Sequence, residues 1–128
     1  MSWSKASEHI IEKVKRGINI DPDSKFRLVL AGPDYACHNY NYDGERGYKV
    51  RIGENASIEI PMSMLKVMYQ EALTNNGIYN NGIFKRHFEL QKNHHPCHVH
   101  VVGNFFLYSG VAKQINKRNY RILGLESS

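Results

Sequence analysis

Two hydrophobic periods run along this chain, and the switches between them divide it into blocks. Over residues 4–16 the period is that of a helix. Ile10, Ile11 and Val14 share one side, and Glu8, Glu12, Lys13 and Arg16 surround them. Ser4 suits the N-cap and Gly17 the stop. Residues 18–23 read as a turn. The period then drops to two. Residues 25–30 put Phe26, Leu28 and Leu30 on one face of a strand. Residues 48–52 and 57–60 alternate again around Gly53, Glu54 and Asn55, which predicts a hairpin. Residues 32–47, with Tyr35, Tyr40 and Tyr42, read as a polar aromatic loop.

Helical spacing returns at residues 62–74, where Leu65, Met68, Tyr69, Ala72 and Leu73 fall on one arc. Asn75, Asn76 and Gly77 end it, and Ile78 and Tyr79 form a short extended piece. Asn80 and Asn81 cap a second helix with Ile83, Phe84, His87 and Phe88 inward. Pro96 suits the first turn of a longer helix ending near Val111. Its inner side is Val99, Val102, Gly103, Phe106, Leu107 and Gly110. Residues 112–115 and 120–123 read as two short strands joined by the polar tip at 116–119. The expected class is α+β. Residues 1–60 form a helix-and-antiparallel-sheet part, and residues 61–128 form a mainly helical part.

Charge separates the same two parts. Residues 1–60 carry nine Lys/Arg and nine Asp/Glu, so they are neutral. Residues 61–128 carry eight Lys/Arg and three acids, so they hold the whole net charge of +5. A basic half on a neutral half points to a polyanionic partner. No run of roughly 18 apolar residues occurs, so no membrane-spanning helix is expected. Two cysteines are too few to staple a secreted fold, which points to the reducing cytoplasm.

The order helix, short strand, helix, turn, longer helix, basic hairpin over about residues 60–124 resembles the winged-helix variant of the helix-turn-helix. The link at residues 89–95 is longer than a standard helix-turn-helix connection. The resemblance implies double-stranded DNA as partner, the helix after Pro96 as reader, and residues 116–121 as the wing. Spacing supplies the reader. His100, Asn104 and Tyr108 lie at i, i+4 and i+8 opposite the apolar arc, together with Cys97 and Val101. Lys117, Arg118 and Arg121 on the wing, and Lys85 and Arg86 on the preceding helix, would then hold phosphates. One short recognition helix binds weakly, so a homodimer is expected.

Two other readings compete. Cys37, His38, His94, Cys97 and His98 are zinc-type ligands, and a structural zinc would need them to converge. Their spacing matches no common zinc pattern, so no cofactor is expected. Nor is there a phosphate-binding glycine loop or an oxyanion segment beside Cys97, so binding is expected rather than catalysis. The alternative is a non-enzymatic small-ligand or protein-binding module, with the tyrosine loop 35–42 and the histidine cluster 94–100 lining its site.

Overall fold

The computed structural model describes residues 2–15, Ile20 and residues 28–123. The expected stop at Gly17, the turn after it apart from Ile20, and the start of the first strand lie outside them. The fold is α+β, as expected.

Helix α1 spans Trp3–Lys13. Its N-cap is Ser2 rather than Ser4, with the Ser2 hydroxyl accepting from the Lys5 amide at 3.3 Å. Ala6, Ile10 and Val14 are buried, whereas Ile11 is 39% exposed, so the apolar side is narrower than the sequence pattern. Strand β1 runs Leu28–Cys37, well into the expected loop. It pairs antiparallel with β2 (Glu45–Arg51), and the register shifts between Val29 and Tyr35. β1 is an edge strand, so Gly32, Pro33 and Asp34 are taken up as an irregularity rather than a turn. The expected inward face of β1 is corrected too. Val29 is buried and Leu30 is 47% exposed. A single 3-10 turn at Tyr40–Tyr42 then leads into β2.

β2 pairs with β3 (Ser57–Pro61) as the predicted hairpin, with Val50 opposite Ile58 and Tyr48 opposite Ile60. Pro61 leads directly into α2 (Met62–Thr74), whose span agrees with the sequence pattern. Glu45 of β2 accepts from the Ser63 amide at 2.7 Å, so a carboxylate satisfies an orphan donor of the first turn of α2. Leu73 is 42% exposed and does not join the buried arc.

The second half follows as β4 (Ile78–Asn80), α3 (Asn81–His87), α4 (Glu89–His94), α5 (His98–Tyr108), β5 (Ala112–Asn116) and β6 (Asn119–Ile122). The Asn80 side chain caps α3 by accepting from the Ile83 amide at 3.3 Å. The long link expected at 89–95 is itself mostly helix α4. The small sheet has the order β4-β6-β5, with Tyr79 opposite Tyr120 and Lys113 opposite Arg121.

α5 lies between the two sheets. Phe105 meets Tyr48 of β2 at 4.6 Å between ring centroids, and Phe106 meets Tyr79 of β4 at 5.9 Å. The Tyr79 hydroxyl donates to the Val99 carbonyl at 2.7 Å. Gly103 packs on the Tyr120 ring, where a Cβ would fall 2.3 Å from Cε1. One hydrophobic cluster therefore runs through both halves, from Ile10 and Val50 to Phe84, Phe105 and Tyr120. Among the described residues no helix is long and apolar enough to cross a membrane.

Candidate functional site

The predicted phosphate contacts come from two elements. Lys85 and Arg86 are exposed in the last turn of α3, where a cation also suits the helix dipole. Lys117 and Arg118 are exposed at the β5–β6 turn. The Asn116 side-chain oxygen shapes that turn, accepting from the Arg118 amide at 2.9 Å and the Asn119 amide at 3.1 Å. The Asn80 side chain donates to the Asn119 side-chain oxygen at 3.1 Å, which ties the turn to the start of α3. A concavity of about 290 Å³ opens there, lined by Asn80, Asn81, Gly82, Arg118 and Asn119.

Arg121 is exposed opposite Lys113, a cation missing from the expected set. The signal for Lys113 was present, because alternation across a hairpin puts cross-strand partners on one face. None of Lys85, Arg86, Lys113, Lys117, Arg118 and Arg121 makes an ion pair among the described residues. In the neutral half Arg46 pairs with Asp34, and Lys15 with Glu12 at 3.2 Å, while Lys5, Lys13, Lys49 and Arg51 also lack ion pairs among the described residues.

The expected reading face on α5 needs correction. Val101 is fully buried and Asn104 is only 9% exposed. His100 is half-buried, and Tyr108 at 38% is the one exposed member of the stripe. Burial, and then the Arg118 charge, hold the His100 pKa below its ordinary value. Cys97, His100, Asn104 and Tyr108 thus mark a seam along a helix covered on both flanks. A recessed Asn104 cannot reach a base edge.

A second site lies between the first sheet and α4–α5. It is a cavity of about 330 Å³, and Asn39, Lys49, Glu59, Gln91, His95 and His98 are among its lining residues. His98 is 2% exposed. Its pKa is lowered to about 4, first by burial and then by the charge of His95, against the raising effect of a hydrogen bond with the Glu59 backbone. His98 Nε2 and Asn39 Oδ1 are buried and have no hydrogen-bond partner among the described residues. The Glu59 carboxylate accepts from the His38 amide. Burial first, then the charges of Glu59 and Glu45, pushes the Cys37 thiol up to about 12. The expected module thus gains Asn39 from the 35–42 loop and His95 and His98 from the histidine cluster. Tyr42 instead packs on Phe88 at 6.3 Å between ring centroids. Lys49, Glu59 and Gln91 were missed by sequence reasoning. Lys49 and Glu59 are cross-strand partners in the predicted hairpin, but nothing local ties them to Gln91.

The zinc candidates do not converge. No three His, Cys, Asp or Glu side chains gather as a metal would require among the described residues. Cys37 is buried, Cys97 is half-buried, and both are free thiols. His38 instead meets Asp43 at 2.8 Å. In comparisons with known proteins, no family model matches the chain, and no curated protein or solved structure matches it either.

Proposed function

We propose that this chain binds nucleic acid, with double-stranded DNA as the first ligand to test. It grips the phosphate backbone with the small sheet and its turn rather than reading bases with α5. One observation carries this reading. Among the described residues Lys113, Lys117, Arg118 and Arg121 are exposed without ion pairs on a single hairpin, and residues 90–123 contain no Asp or Glu to offset them. Unpaired cations of one sign on adjacent strands repel one another, and a polyanion relieves that repulsion while releasing its own counterions.

The order α2, β4, α3, α5, β5, β6 is the one that the winged-helix resemblance implies, with β5–β6 as the wing and α4 inserted before α5. With Asn104 recessed, base-edge contacts are few, so binding is weakly sequence-selective and strongly salt-dependent. Two copies on one duplex would raise the affinity of so small a contact surface. Free thiols on Cys37 and Cys97 fit a reducing compartment such as the cytoplasm.

The test is anisotropy of a labelled duplex between about 50 and 200 mM salt. Four phosphate contacts give a log–log slope of roughly −3 to −4. Replacing Lys117 and Arg118 by Ala should reduce its magnitude by about two. Failure to bind at low salt, or an unchanged slope in the double variant, would overturn the reading.

A further inference from the structure

We infer that the cavity between the β2–β3 ladder and the His95–His98 segment binds a small, neutral, polyhydroxylated molecule whose hydroxyls form hydrogen bonds with His98 Nε2 and Asn39 Oδ1. This inference is independent of the nucleic-acid reading and uses none of its residues.

The first step is hydrogen bonding. A buried polar atom without a hydrogen-bond partner is costly, so native proteins rarely leave two around one cavity. Here two such atoms sit on residues that line the same space, one in the β1–β2 connection and one at the start of α5, with no partner among the described residues. Both call for a hydrogen-bonding occupant. The histidine ring is neutral at physiological pH, since its pKa lies near 4. A neutral imidazole has one nitrogen that donates and one that accepts, and a hydroxyl can meet the unpartnered Nε2 in either role.

Charge and size narrow the class. Lys49 and Glu59 are direct cross-strand partners, so the cavity wall carries one charge of each sign. An anion would meet Glu59 and a cation Lys49, whereas a neutral ligand can donate to the carboxylate and accept from the ammonium. Gln91, 6% exposed, adds an amide that can do both. A volume near 330 Å³ sits at the small end of ligand pockets, which run from about 300 to 1,000 Å³. That size suits a sugar or polyol and excludes a dinucleotide.

The test uses the full chain labelled uniformly with ¹⁵N, with the histidine ring nitrogens observed separately from the amides. Glycerol, ribose and glucose are titrated as polyol probes, and inorganic phosphate as an anion probe. At least one polyol should shift the His98 Nε2 resonance in a saturable way below about 10 mM, and phosphate should not. Asn39→Ala should weaken that binding about tenfold with the amide spectrum otherwise intact, as expected for one lost hydrogen bond. A saturable phosphate shift at His98 would overturn the proposal. So would the absence of saturation by all three polyols, which would leave water as the occupant.

Discussion

Replacing Gly103 by Ala tests whether α5 is held against the small sheet as closely as described. A Cβ built there falls 2.3 Å from Cε1, 2.5 Å from Cζ and 2.7 Å from Cδ1 of Tyr120. Carbon atoms rest comfortably at about 3.5–4.0 Å, so the ring must retreat by roughly 1 Å or more. Tyr120 has little room to do so. It is 1% exposed, it packs on Tyr79 at 5.9 Å between ring centroids, and its strand is the middle one of the sheet. Two effects then compete. Alanine gains about 1 kcal/mol over glycine in a helix interior. Overpacking costs typically 1–3 kcal/mol, and a contact this short belongs at or above the top of that range. The expected net loss is about 2 kcal/mol or more, or a Tm lowered by roughly 6–10 °C for a chain of this size. Calorimetry measures it. In a Tyr120→Ala background the obstruction is gone, so Gly103→Ala should stabilise by up to about 1 kcal/mol. A higher Tm for Gly103→Ala in the otherwise unchanged protein would refute the close approach.

Two further outcomes follow from the buried titratable groups. The folded pKa of His98, about 4, lies below its unfolded value of 6.5, so between those values the unfolded chain binds more protons. The contribution of His98 is therefore complete above pH 6.5 and is lost as pH falls towards 4, by an amount of the order of 3 kcal/mol. Urea midpoints at pH 7 and 4.5 should diverge more in the parent than in His98→Gln, and equal divergence would contradict the burial of the ring. Cys37 is fully buried with its thiol pushed up to about 12, so only Cys97 should react with a disulfide reagent at pH 8. A Cys97→Ser variant that still reacts rapidly while folded would place Cys37 in reach of solvent.

The elements that could be read from the sequence carry their pattern in neighbouring residues. The β2–β3 hairpin, α2 and the β5–β6 pair follow from alternation or helical spacing within a dozen positions. Those that escaped have patterns set by distant contacts. β1 continues through Gly32-Pro33-Asp34 because an edge strand tolerates a register shift that a central strand would not. α4 inverts the usual rule, with Leu90 61% exposed and Gln91 buried, so no apolar stripe announces it. Gln91 is buried because it lines the polar cavity. The cations at 117, 118 and 121 were readable because exposed charge needs no partner. The cavity was readable only in its separate pieces.

The failure of the expected reading face has one physical cause. From His98 to Phe106 only His100 escapes burial, and a helix that is apolar on nearly every side belongs between layers rather than on a surface. The polar stripe at 100, 104 and 108 was real as spacing but too narrow to leave a face, because Val101 and Phe105 flank Asn104 and are fully buried. A groove-reading helix needs a solvent-facing arc wide enough to enter DNA, which α5 lacks. The same packing makes α5 a rigid support. It anchors the sheet that carries the cations through Gly103 and Tyr120, and it holds His98 against the first sheet at its other end. On the nucleic-acid reading proposed above, specificity would have to come from the shape of the duplex and the placement of phosphates rather than from base edges.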